Sequence, residues 1–461
     1  MTNTAVETCL NKLGYKYNRD AHTVIDLCRS WYKNETTEFH KRKTLNGVEF
    51  ELSSLNFAKR CCADDANLCE VVEINAGKNE EKFKGVLEIL EKNRFGPSYR
   101  KQLEQVSACG TVGGYIRLDN ADVMPDGTVT GGDIRINYVE ASGIVPLTVI
   151  NDEIVECGFW GTDLVDGKDF TTLVIFKLQE NSKSYVACSH YFGDNGMEIE
   201  DKQVHLTLGE VKPFFIMRTA EVNNLDNMEG YGFPKLYAAI PVLQVLDLAF
   251  NILYSDMDKG EKMIFINELL CDFRKDGTPI FTPEQKKMFM LLGEKLPDQD
   301  TLYKEYNPEI RIQVIREAFE TCLSLLSMSF GYGTKKYTFE GGQIKTATEY
   351  IGERQDAMQE LNKQRSEAET YIKDMIRAVI WFSNQFGGTD WDTEEEICIE
   401  FDDSYVNDRQ SEIENMRMDA IQFPNVPEFT VQYVMLRLNC EREEAIKYIQ
   451  SDLMSLEQVE E

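Results

Sequence analysis

From Arg311 to Phe386 the chain reads as a helix (RIQVIREAFETCLSLLSMSF), a glycine-flanked basic loop (GYGTKKYTFEGG) and a second, longer helix ending at Phe386. Helices this long are stabilised mainly by what packs along them. The rest of the chain must therefore be arranged around this pair, and the ordered pattern of the loop between them argues against a mere spacer.

A third long helix precedes them. Residues 236–254 (LYAAIPVLQVLDLAFNILY) are the most apolar run, but Pro241, Gln244, Asp247 and Asn251 interrupt it. That composition predicts a buried or interface helix and not a membrane span. The N-terminal stretch has no apolar signal core. Between the helices at 234–261 and 311–330, the segment 262–310 carries a strand-like IFIN, an Asp276-Gly277 turn and Pro279, Pro283, Pro297 and Pro308. It reads as a small inserted α/β module.

Upstream, residues 1–35 have helical spacing, 48–54 alternate like a strand, and 55–77 pass from helix to strand. A charged helix at 78–95 is expected to close at Gly96-Pro97, and another to run to Gly110. Residues 113–209 hold strand-length apolar runs separated by turn dipeptides such as Asp126-Gly127 and Gly131-Gly132, which predicts an antiparallel β-region. A polar, glycine-rich joint (223–233) leads into the apolar helix. After Phe386 come a turn, a strand at 396–404 and a helical tail at 405–461, split by Pro424 and Pro427 and ending acidic. The class expected is α+β.

The 461 residues carry a net charge of -30, so a broad adhesive nucleic-acid surface is excluded and any DNA contact must be local. The 12 cysteines show no CxxC and read as reduced thiols. His22, His40, His190 and His205 have no spacing partners, so no zinc site is expected. There is no P-loop, HExxH or patterned nucleophile, and neither GYG follows a strand into a phosphate loop. Asp390, Asp392, Asp402 and Asp403 suit either two-metal phosphoryl chemistry or the turns and strand ends of an acidic surface. In the central loop, Lys335 and Lys336, followed by Tyr337 and Phe339, suit brief contact with a polyanion backbone. They equally suit solvated lysines with aromatics that anchor the loop to a neighbour. In Thr346-Ala347-Thr348-Glu349, Thr346 suits the cap of the following helix, with Glu349 as reciprocal partner.

The KTATEY segment, preceded by a helix bearing Arg316 and a glycine-bearing loop, resembles the corresponding segment of bacteriophage portal proteins, of the kind found in siphophages of Gram-positive hosts. WYKNETTEFH (31–40), SLNFAKRCCADDANLCEVVEIN (54–75), NNLDNMEGYGFPKLYAAIPVLQVLDLAFN (223–251) and FDDSYVNDRQSE (401–412) resemble further portal segments in collinear order. Two departures stand out: Phe39 or His40 stands where the family often has a second Trp, and the chain is short for the class.

The resemblance implies a portal fold. Its parts would be a wing (1–233 and 343–404), stem helices (234–261 and 311–330), a clip (262–310), a tunnel loop (331–342) and a helical crown (405–461). It implies a homo-oligomeric ring of about twelve subunits at one capsid vertex, with no enzymatic activity, cofactor, metal or membrane. DNA would be packaged through it by terminase and ejected through it. Other implied partners are the major capsid and scaffolding proteins and a head-completion adaptor. The location would be the virion, with assembly in the host cytoplasm. Lys335, Lys336, Tyr337 and Phe339 would face DNA. Phe273, Arg274, Lys275 and Asp276 would meet a clip partner. Asp247, Asp402, Asp403 and the 346–349 run would be structural motifs. The alternatives are a metal-dependent nuclease using Asp402 and Asp403 and an acidic cytoplasmic scaffold.

Overall fold

The computed structural model describes residues 2–44, 47–76, 80–123, 129–165, 167–179, 183–199, 204–260, 263–267, 274–275, 289–292, 303–307, 309–334, 336–339, 347–393, 396–401, 409–423, 426–438, 442 and 445–449. Helices α1 (Thr2–Lys12) and α2 (Arg19–Tyr32) are followed by the hairpin β1 (Lys41–Lys43) and β2 (Glu49–Glu51). Then come α3 (Phe57–Ala66), β3 (Val71–Ala76), α4 (Glu80–Lys92) and α5 (Phe95–Cys109). The β-region comprises β4 (Thr111–Asp119), β5 (Asp122–Val123), β6 (Val129–Thr130), β7 (Asp133–Glu140), β8 (Ile144–Ile150), β9 (Glu153–Val165), β10 (Lys168–Leu178), β11 (Tyr185–Phe192), β12 (Val204–Thr207) and β13 (Phe214–Arg218). After α6 (Lys235–Lys259) come β14 (Met263–Asn267), β15 (Phe289–Leu292) and β16 (Tyr303–Tyr306). Next come α7 (Ile312–Ser329), α8 (Ala347–Phe386), β17 (Ile397–Phe401), α9 (Arg409–Gln422) and α10 (Pro427–Leu438). The fold is a mixture of helices and small sheets.

Two compact units are present: residues 1–67 with 76–397, and residues 68–75 with 398–461. In the second unit β17 pairs with β3. Its helices α9 and α10 pack on each other, with the Phe423 and Phe429 rings 5.8 Å apart. Pro427 opens α10, where its missing N–H costs nothing.

In the first unit, β8 to β12 form an antiparallel meander in sequence order, and β4 lies between β13 and β7 in a second sheet. Helix α1 covers the meander: Val6, Cys9 and Leu10 pack with Leu173, Ile175, Cys188 and Phe192. Helix α8 lies against β13 and β4 through a buried stripe at Ala368, Ile372, Met375 and Val379, one face of a 3.6-residue period. Gln364 on α8 accepts from Ala220 N at 3.0 Å and donates to Arg218 O at 3.2 Å. These bonds satisfy backbone groups at the end of β13 and just past it. The inserted strands also form a small sheet, with β14 parallel to β15 and antiparallel to β16.

One helix boundary differs from the sequence expectation. The break between α4 and α5 falls at Asn93-Arg94, with Arg94 left-handed at φ 54. Gly96 and Pro97 lie in the first turn of α5, a turn that tolerates proline. At its other end α5 stops at Gly110, φ 80, and here the first GYG finds its use. A Cβ built on Gly232 would stand 2.2 Å from the Gly110 carbonyl oxygen, so the two glycines permit a close backbone crossing.

His22 joins three segments near that crossing. Its ring stacks on Tyr17 at 4.5 Å, and its Nε2 lies 3.3 Å from the Tyr231 hydroxyl, which donates to Ile144 O at 2.8 Å. Burial pushes the His22 imidazole down to about 4. The unfolded imidazole takes a proton near its ordinary value of about 6.5, so His22 stabilises the fold above that pH. That stability is lost as pH falls toward the folded value. Between pH 7.5 and 5.5 the wild type should lose about 1 kcal/mol that a His22→Gln variant does not lose. Urea unfolding of both proteins at the two pH values measures the difference, and parallel losses would remove His22 as its source.

Candidate functional site

The loop after α7 is built by a helix terminator. Gly331 adopts φ 76, with its N–H donating to Met328 O at 3.1 Å and Tyr332 N donating to Ser327 O at 3.0 Å. This is the double bond pattern of a Schellman cap, which turns the chain off the helix and satisfies its last carbonyls. Gly333, at φ 71, completes the reversal. Further along, Tyr337 N donates to Ser327 Oγ at 3.0 Å, and that hydroxyl donates to Leu323 O.

Two tyrosines then bind the loop to α3. Tyr332 is buried, stacks on Phe330, and donates to Asp65 Oδ1 at 2.9 Å. Lys235, the first residue of α6, donates to the same oxygen at 3.2 Å, with its side chain only 1% exposed. Tyr337 donates to Asp64 Oδ2 at 3.2 Å, and Asp64 is also held by Arg60, with both contacts at 3.0 Å. Burial, then the Cys61 thiol and the Asp64 carboxylate, raise the Tyr337 phenol well above its ordinary range. Tyr337 therefore stays protonated and donates. The Asp64-Asp65 pair on α3 is thus a docking point for the loop, and α6 shares it.

The other loop residues face differently. Lys336 is exposed, with Nζ 5.6 Å from the Tyr332 ring centroid. Phe339 is 57% exposed and meets Phe319 of α7 edge-on at 6.3 Å. The loop therefore turns its tyrosine hydroxyls inward and leaves a lysine and a phenylalanine at its surface. Lys335 and Thr346 lie outside the described residues. Ala347, Thr348 and Glu349 form the first turn of α8.

Asp247 is a second junction. It is buried on α6, with Oδ2 3.1 Å from His40 Nε2 and Oδ1 accepting from Leu55 N at 2.8 Å. His40 Nδ1 accepts from Thr37 N and Thr37 Oγ1, so its Nε2 carries the proton toward Asp247. One turn on, Asn251 donates to Ser53 O at 2.7 Å and accepts from Ser53 N at 2.9 Å. The segment from Thr37 to Leu55 is strapped along α6 by these bonds. The Trp31 ring lies 5.0 Å from His40, so His40 fills an aromatic niche while supplying a polar handle. Sequence reasoning marked Asp247 but not its partner, 207 positions away.

Helices α6 and α7 pack together, and Arg311 grips Asp256 with two bonds of 2.8 and 2.9 Å. Each helix leaves apolar residues outside. Val245, Leu248 and Ile252 form an exposed stripe on α6, and Val314, Leu325 and Met328 share one exposed face of α7. Among the described residues α6 is the one helix long and apolar enough to cross a membrane. Its Asp247 and Asn251 are nevertheless committed to the polar strap. Of the inserted module, Arg274 and Lys275 are exposed, while Phe273 and Asp276 lie outside the described residues, as do Asp402 and Asp403.

Compared with protein families, residues 15–423 match the profile described as "Phage portal protein, SPP1 Gp6-like". No curated protein matches the chain. Among solved structures, one similar chain comes from the neck of an empty GTA particle computed with C6 symmetry. It has a TM-score of 0.40 and 13% identity, covering 78% of this chain and 84% of that one. Another comes from the neck of a native GTA particle computed with C12 symmetry. It has a TM-score of 0.39 and 11% identity, covering 82% of this chain and 89% of that one.

Proposed function

The chain belongs to the SPP1 Gp6-like phage portal protein family, and on that premise we propose that it forms a homo-oligomeric ring at one capsid vertex. The ring is the conduit through which terminase packages double-stranded DNA and through which that DNA leaves, and the platform for head–tail joining. It acts as a structural component of the virion, assembled in the host cytoplasm on major capsid and scaffolding proteins. In this reading 1–233 and 343–404 form the wing, 234–261 and 311–330 the stem, 262–310 the clip, 331–342 the tunnel loop and 405–461 the crown. Arg274 and Lys275, with Phe273 and Asp276, meet the terminase or the head-completion adaptor.

The observation that carries the ring is the pair of uncovered apolar faces on α6 and α7. Exposed apolar stripes on two packed helices favour a protein partner, and copies set around an axis provide one on each side. The charge suits a conduit. A ring of about twelve copies carries roughly -360, which weakens adhesion to DNA along the bore. Lys335 and Lys336 then supply brief phosphate contacts at the loop, and Tyr332 and Tyr337, anchored to α3, flank Lys336 in sequence and fix the loop that carries it.

Negative-stain images and mass photometry of the purified chain should give rings of about a dozen subunits with an axial hole. Monomers and dimers alone, with or without salt and magnesium, would refute the ring. Lys335→Ala with Lys336→Ala should leave the rings intact but reduce packaged DNA length or retention. Unchanged packaging by intact rings would refute phosphate contact without touching the ring assignment.

A further inference from the structure

Three metal-ligand side chains converge beneath α1. One ligand atom each from Cys9, His190 and Glu198 lies within 4.8 Å of the other two. Cys9 comes from α1 and His190 from β11, while Glu198 sits where the chain after β11 bridges back to Phe192. Cys9 and His190 are buried, at 4% and 6% exposure, and Glu198 is half-buried. His190 Nδ1 stands 2.6 Å from Glu198 Oε1.

We propose that Cys9 Sγ, a ring nitrogen of His190 and a carboxylate oxygen of Glu198 bind a divalent transition metal of the zinc class, with a fourth position left to solvent. The donor set selects the metal: thiolate and imidazole suit zinc, whereas magnesium and calcium take oxygen ligands. A hydrogen-bonded imidazole–carboxylate pair accounts for His190 and Glu198, and the apolar face of α1 accounts for a buried Cys9, but neither alone brings one ligand atom from each of the three within 4.8 Å of the others. The bound metal ties α1 to β11 and adds to the apolar contacts of Val6 and Leu10. The sequence expectation of no zinc site rested on spacing, and these three ligands have none.

The test uses the untagged full-length chain, equilibrated with micromolar zinc, dialysed, and assayed by elemental analysis. The wild type should retain about one zinc per chain. Cys188→Ser, which alters another buried thiol of the same core, should retain as much. Cys9→Ser and His190→Gln should retain less than about a tenth, and the half-buried Glu198→Gln should bind at least about tenfold more weakly. Cobalt replacement should give a thiolate-to-metal charge-transfer band in the wild type that Cys9→Ser lacks. Circular dichroism of each metal-free variant checks folding, and Glu198→Gln tests the site should a buried change unfold the chain. A wild type with less than about one zinc per ten chains, or folded Cys9→Ser and Glu198→Gln variants that bind as the wild type does, would overturn the proposal.

Discussion

Asp65→Ala should destabilise the chain by about 3–5 kcal/mol and loosen the loop after α7. Asp65 Oδ1 is the common acceptor for Lys235 and Tyr332, and the Lys235 side chain is only 1% exposed. Removing the carboxylate leaves an ammonium in the interior without its counter-ion, which costs far more than the pair contributed. Tyr332 loses its acceptor in the same step, so one of the two tyrosine anchors of the loop is released. The double variant Asp65→Leu with Lys235→Met should recover most of the stability, because an apolar pair carries no desolvation penalty. It should not restore the Tyr332 anchor. Urea unfolding reads the first effect, and hydrogen exchange across residues 331–339 reads the second. A loss below about 1 kcal/mol for the single variant would show that Lys235 finds water or another partner.

Gly232→Ala is expected to cost about 3 kcal/mol or more. The added Cβ would lie 2.2 Å from Gly110 O, 2.8 Å from Thr219 N and 2.9 Å from Thr219 Oγ1. Two of these are backbone atoms held in place, Gly110 at the end of α5 and Thr219 by its N–H bond to Gly110 O at 3.0 Å. Neither gives way by a rotamer change. Gly96→Ala is the matched control: it lies in the first turn of α5 and its Cβ would meet nothing within 4 Å. That change should be neutral or stabilising by up to about 1 kcal/mol. Thermal melting of the two variants side by side measures the contrast. Equal midpoints would mean that the Gly110–Gly232 crossing is loose in solution.

The order of elements was legible because periodicity is local. The antiparallel run at 113–209, the helix around LYAAIPVLQVLDLAFNILY and the long helix ending at Phe386 all emerge where their patterns place them. What escaped was pairing at a distance. Lys235, at the start of α6, carries no sequence signal of a partner, yet it is buried against Asp65, 170 positions away. Tyr337 reads either as a polyanion contact or as an anchor of the loop to a neighbour, but the acceptor that anchors it, Asp64, stands 273 positions away. His40, a departure from the family pattern, turns out to be the partner of Asp247. Such polar partners follow no repeat, so the sequence supplies the residue types without the match. Family membership was legible in collinear short segments for the converse reason, since each weak match gains weight from the order of the others.

In the proposed ring, the uncovered stripes on α6 and α7 would make stability a function of dilution. If neighbouring copies cover them, every contact between copies favours the folded chain by mass action, and the apparent unfolding free energy rises with protein concentration. The losses expected for Asp65→Ala and Gly232→Ala are then comparable only at one fixed chain concentration. In a concentrated preparation the ring would hide part of each. Assembly is in this sense a reserve on which an individually weakened subunit draws.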